Sequence, residues 1–130
     1  MSVENDDKDV IDRSALANLR ELQDEGEPDI VAEVGGLFLK HTPDKISAIE
    51  QATEKGDAKG LQIAAHSLKS SSAYVGAMRL SAMSKELEQM GRSGELKGAK
   101  ELVEQLKAEY LRVVAALKSE IKSTDTSQAW

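Results

Sequence analysis

The chain is 130 residues long and carries a net charge of −6, with 40% hydrophobic, 31% charged and 3% aromatic residues. Such a length supports one domain with a single modest core, and an acidic balance without clustered Lys, Arg and aromatics argues against nucleic acid as a partner. With no cysteine in the chain, disulfides, thiolate metal sites and cysteine nucleophiles are excluded.

Scarce aromatics beside plentiful Ala, Leu, Glu and Lys favour helix over sheet. Residues 1–11 are charged and aperiodic, an expected disordered N-terminus whose acidic character is the opposite of a secretory signal. Asp12 or Ser14 can cap a first helix carrying Leu16, Leu19 and Leu22, which ends near Gly26-Glu27-Pro28. Asp29 offers the next cap, with Val31, Val34 and Phe38 on one face, and the apolar phase resumes at Ile46 and Ile49. Pro43 lies between them, so the region reads as one kinked helix over about 29–55 or as two helices abutting at Thr42-Pro43.

Gly56 fits a helix C-cap and Asp57 the N-cap of a third helix, roughly 58–75, which Gly76 ends or sharply bends. A fourth helix, about 77–91, places Leu80, Met83, Leu87 and Met90 at spacings of three, four and three, and Gly91-Arg92-Ser93-Gly94 reads as a turn. In the last helix Leu96, Ala99, Val103, Leu106, Tyr110, Val113 and Leu117 alternate steps of three and four, with Ile121 continuing them. That is a heptad-like stripe facing a bundle neighbour. The tail, 123–130, is polar and expected to be disordered. No apolar run approaches the ~20 residues a membrane helix requires. The expectation is an all-α protein, an antiparallel up-down helical bundle over residues 12–122, cytoplasmic and monomeric. Met1 and the polar tail point to a free-standing chain.

The third helix carries the chemistry. Leu61, Ala64, Ala65, Leu68, Ser72 and Val75 share one stripe, and His66 falls outside it. Gln62, Ile63, Lys69, Ser70 and Ala73 surround the ring on a second, exposed face, a plausible docking surface. A lone helical histidine is most often a plain surface or core residue. Here, though, a mostly neutral imidazole offers a nucleophilic nitrogen. No carboxylate lies one turn away on its own helix, and no His-Glu-x-x-His zinc motif or phosphate loop is present. The chain has a nucleophile without machinery for binding a nucleotide or a metal. Were the ring to accept a phosphoryl group, Lys69 at i+3, ~5–6 Å away, would offset the new negative charge. Ser70 at i+4 is small enough to admit a partner's backbone and can bond a phosphoryl oxygen. His41, with no motif around it, reads as a surface or hinge residue.

His66-Ser-Leu-Lys69-Ser70-Ser71, with Gly76-Ala77 following and Leu87-Glu88 and Gly91-Arg92 downstream, resembles a histidine-containing phosphotransfer (HPt) domain. Phe38-Leu39 and Thr42-Pro43 match that family's earlier helix, and the resemblance spans roughly residues 12–120. It implies a four-helix bundle with an additional N-terminal helix, a phosphohistidine at His66, and Lys69 as its stabilising cation. Arg92 matches the family's arginine near the receiver-docking surface. Glu88 stands where some members carry a glutamine close to the ring, placed to orient the other ring nitrogen or to repel the phosphate. Gln62, Ile63, Ala73, Glu88 and Arg92 are therefore the expected docking residues. Ser70 replaces a commoner glycine, a small departure that should not block docking.

The resemblance implies a phosphorelay carrier, not a kinase, that takes a phosphoryl group from an aspartate of one receiver domain and passes it to another. The expected partners are response-regulator receiver domains and a hybrid sensor kinase. No cofactor is expected on this chain, and the metal ion is expected on the partner receiver. The alternative is an unphosphorylated helical adaptor. A ferritin-like metal bundle needs paired Glu-x-x-His motifs, and neither histidine has a glutamate three residues before it.

Overall fold

The computed structural model describes residues 10–27 and 29–128, with side chains described as far as Ile121. Five helices of some length occur among them: α1 Arg13–Glu21, α2 Ile30–Lys55, α3 Ala58–Tyr74, α4 Met78–Ser93 and α5 Ala99–Gln128. Three begin on aspartates whose carboxylates accept from backbone amides that lack a helical partner. Asp12 accepts from Ser14, Asp29 from Val31 and Ala32, and Asp57 from Gly60. Gly56 and Gly94 close α2 and α4 with φ of 69° and 80°, a left-handed conformation that glycine adopts without a steric penalty.

Of the two readings open at Pro43, the structure has one continuous α2. Proline removes the amide that would bond the Leu39 carbonyl, at a cost of about 3 kcal/mol in a helix interior. The buried stripe Val31, Gly35, Phe38, Thr42, Ile46, Ile49 and Thr53 nevertheless keeps its phase across the proline. Burying Ile46 and Ile49 contributes roughly 1.5–3 kcal/mol each, which outweighs the single lost bond.

The core residues come from all five helices, Leu16, Ile49, Leu61, Leu68, Leu80, Leu87, Leu106 and Leu117 among them. α5 runs antiparallel to α2: Lys107 Nζ lies 2.7 Å from Glu50 Oε2, while a Cβ at Gly35 would lie 2.9 Å from Ile121 Cδ1. The bundle expected from periodicity is present, with α1 as the additional N-terminal helix.

Four boundaries differ from expectation. Val10 and Ile11 are buried in the core and not part of a loose N-terminus; the rest of that segment, 1–9, lies outside the described residues. The Asp12 amide donates to the Gly76 carbonyl at 2.7 Å. This docking uses Gly76 twice, for its φ of +82° and because a Cβ there would lie 2.6 Å from the Asp12 carbonyl oxygen. Leu22, expected on the α1 stripe, is exposed because α1 ends at Glu21. α4 continues through Gly91 to Ser93 where a turn was expected. α5 continues as helix to Gln128, past the expected end at Lys122; residues 129–130 lie outside the described residues.

The packing that positions the site is that of α3 on α4. Besides Leu80 and Leu87, the buried residues of α4 are Ser81, Ser84, Glu88 and Gly91, a stripe of small side chains interrupted by one carboxylate. Small residues let the backbones approach closely. A Cβ at Gly91 would lie 2.6 Å from both the Ala58 carbonyl oxygen and the Gln62 amide nitrogen. The Ser81 hydroxyl donates to the Lys69 carbonyl at 2.9 Å, and the Ser84 hydroxyl back to Leu80 at 2.9 Å. Among the described residues, no helix is long and apolar enough to cross a membrane.

Candidate functional site

His66 lies near the middle of α3 with its side chain 61% exposed, while Glu88 reaches it from α4 with a side chain only 5% exposed. Glu88 Oε2 is 2.8 Å from His66 Nδ1 and 3.3 Å from Arg92 Nη2, and Oε1 is 2.7 Å from Lys69 Nζ. One buried carboxylate thus holds the imidazole, the lysine one turn beyond it, and the arginine one turn along α4.

The electrostatics follow from that arrangement. The Glu88 pKa is lowered from the ordinary 4.5, chiefly by the hydrogen bond from Lys69 and further by His66, against the desolvation that burial imposes. Glu88 is therefore ionised at neutral pH, and an ionised carboxylate only accepts hydrogen bonds. Its contact with Nδ1 thus places a proton on Nδ1, and in the neutral ring Nε2 is then the nitrogen with the free lone pair. A fixed tautomer with an exposed nucleophilic nitrogen is what this geometry provides.

Of the residues named from the sequence, His66, Lys69, Glu88 and Arg92 meet in one cluster. Of the roles expected for Glu88, the 2.8 Å contact with Nδ1 fits orienting the other ring nitrogen, while its burial does not fit a place on the docking surface. Glu88 lies beneath the ring, because position 88 falls on the α4 stripe that packs against α3. Lys69 is also not a free counter-charge, since its ammonium already pairs with Glu88. Ser70 is exposed at i+4, and Ile63, 61% exposed, stands on the open surface. Gln62 and Ala73 are half-buried, Gln62 where the α3 backbone meets Gly91. His41 is exposed on α2 at a cleft of about 620 Å³ between α2 and α3, whose lining includes Phe38, Thr42 and Tyr74. Sequence reasoning missed that Glu88 bridges Lys69 and Arg92. The signal was there in the spacing of Ser81, Ser84, Glu88 and Gly91, a helical face too small and polar for an ordinary core.

A family model described as Hpt domain matches residues 33–116 of the chain. The chain is 35% identical over 94 residues to histidine-containing phosphotransfer protein 4 of Arabidopsis thaliana, covering 71% of this chain and 74% of that protein. It is 32% identical over 107 residues to pseudo histidine-containing phosphotransfer protein 2 of Oryza sativa subsp. japonica, covering 81% of this chain and 68% of that protein. Among solved structures, histidine-containing phosphotransfer protein B of Pseudomonas aeruginosa PAO1 superposes with a TM-score of 0.79 at 31% identity, covering 88% of this chain and 96% of that one.

Proposed function

The chain belongs to the Hpt domain family and is a phosphorelay intermediate, and from that premise we propose that His66 Nε2 carries the phosphoryl group between receiver-domain aspartates. The observation that carries this reading is the exposed ring pinned through Nδ1 by the buried, ionised Glu88. The Nε2 lone pair attacks the phosphorus of an aspartyl phosphate. An N–P bond forms, the acyl P–O bond breaks, and its electron pair leaves with the aspartate carboxylate. The ring then bears positive charge with its proton still on Nδ1, and Glu88 at 2.8 Å stabilises it. Lys69 and Arg92, already drawn to the site by Glu88, can turn toward the incoming phosphoryl oxygens. Ser70 offers a hydroxyl on the same face. Transfer to a second receiver is the reverse displacement.

Most of this is positioning and charge neutralisation. On this reading the chain needs no nucleotide and acts as a carrier, not as a kinase. The receiver supplies the aspartate and the metal ion, and a hybrid sensor kinase loads the relay. Gln62, Ile63 and Ala73, with Arg92, form the docking surface around the ring, and the protein works as a cytoplasmic monomer. Incubation with an aspartyl-phosphorylated receiver domain should give acid-labile label on the parent and none on His66→Gln. Equal labelling of the two proteins would overturn the assignment. The similarity to a protein named as a pseudo phosphotransfer protein favours a second reading, docking without phosphorylation. It predicts unlabelled parent protein and partner affinity unchanged by His66→Ala.

A further inference from the structure

The hairpin that carries His66 differs in charge from the rest of the chain. From Ala58 to Ser93, spanning α3, its turn and α4, Lys59, Lys69, Arg79, Lys85 and Arg92 stand against Glu86 and Glu88 alone. That balance of +3 sits in a chain of net −6, so the remaining residues sum to −9. α3 contains no acidic residue. Glu88 is buried beneath its three partners and presents no free negative charge.

Three of these cations lie outside the cluster at the ring, and one of them, Arg79, pairs with Glu109 of α5 at 3.8 Å, which leaves Lys59 and Lys85. Lys59 is exposed seven positions before His66, two turns down the same face of α3. Lys85 is exposed three positions before Glu88 and seven before Arg92, on the edge of α4 that borders the ring. Neither forms an ion pair among the described residues. Their structural roles are slight, since both are solvated and neither packs in the core.

We infer that the α3–α4 hairpin is an electrostatic guide that draws the anionic, phosphoaspartate-bearing face of a receiver domain onto His66, while the acidic remainder of the chain disfavours other approaches. The inference rests on His66 being the phosphoryl acceptor. A positive pole on a negative body orients an acidic partner before contact, which raises the encounter rate more than the final affinity. Lys59 and Lys85 act on specificity and on-rate, outside the phosphoryl chemistry.

The test is the second-order rate constant for transfer from a purified, acidic, aspartyl-phosphorylated receiver domain, measured from about 20 mM to about 0.5 M salt, a range over which the screening length falls below the width of the hairpin. The parent should slow by roughly tenfold across that range. Lys85→Glu should be at least about threefold slower at low salt, with the difference gone at high salt. Lys59→Glu should act in the same direction. Lys118→Glu, an equal charge change at an exposed position on α5, should match the parent. All variants should reach the same final His66 label. A rate insensitive to salt, or Lys118→Glu slowing transfer as much as Lys85→Glu, overturns the guide while leaving the acceptor intact. Absence of label at His66 in the parent overturns the acceptor reading itself, and the guide with it.

Discussion

Replacing Gly91 with alanine sets two effects of opposite sign against each other, and the structure decides between them. In an isolated helix the change is favourable, because alanine exceeds glycine in helix propensity by about 0.8–1.0 kcal/mol. Here the new Cβ would lie 2.6 Å from the Ala58 oxygen and the Gln62 nitrogen and 2.9 Å from Gln62 Cα. The two closest approaches fall about 0.8 Å short of ordinary contact at 3.4 Å. All three atoms are backbone, so no side-chain rotation relieves them and α3 and α4 must separate. Overpacking of this kind costs about 1–3 kcal/mol, and with no flexible neighbour the upper end applies. The net expectation is a loss of about 1–2 kcal/mol after the propensity gain. Because Glu88 lies one turn before Gly91, the same separation would stretch its 2.8 Å contact with His66 Nδ1 beyond hydrogen-bonding range. Urea unfolding followed by circular dichroism measures the first effect, and the rate of His66 phosphorylation the second. Gly36→Ala is the sign control. It makes the same change inside α2 where nothing lies within 4 Å of the added Cβ, so it should stabilise by about 0.5–1 kcal/mol. A Gly91→Ala protein as stable as the parent, or one that tracks Gly36→Ala, would refute the close-packed hairpin.

Other outcomes follow from the same geometry. Glu88 has a lowered pKa in the folded state, so its contribution to stability is present above the unfolded-state value and is lost as pH falls through the folded one. The urea midpoint should therefore drop more steeply below about pH 4.5 in the parent than in Glu88→Gln; parallel acid limbs would show that Glu88 is not held by its cations. Arg92→Ala removes only the exposed guanidinium of an i,i+4 pair whose buried carboxylate, Glu88, keeps Lys69 at 2.7 Å, and should change stability by no more than about 1 kcal/mol, measurable in the same unfolding experiment. Leu68→Ala, at a fully buried position of α3, should cost about 2–5 kcal/mol, and a loss under about 1 kcal/mol would contradict its place in the core.

The helices, their caps and their buried faces were legible because they depend on short-range regularities. Asp12, Asp29 and Asp57 precede apolar periodic runs, and Gly56 follows one. His66 and Lys69 were legible as a pair because one turn of one helix brings them together. Boundaries were harder to read where local and tertiary preferences disagree. Gly91 and Ser93 have turn-like composition, yet α4 includes them because α3 packs against that stripe. Val10 and Ile11 look like part of a charged tail, yet they are buried where the chain docks on Gly76.

The chain by itself determined the all-helical class, the phase that turns His66 away from the core, and the lysine beside it, because all of these arise within one helix. Only the tertiary structure decided what holds them. Glu88 is twenty-two positions from His66, and nothing local says which face of α4 meets α3. Close packing at Ser81, Ser84 and Gly91 sets that face. It converts a glutamate expected at the surface into a buried anion that fixes the tautomer of the ring and gathers Lys69 and Arg92 around it.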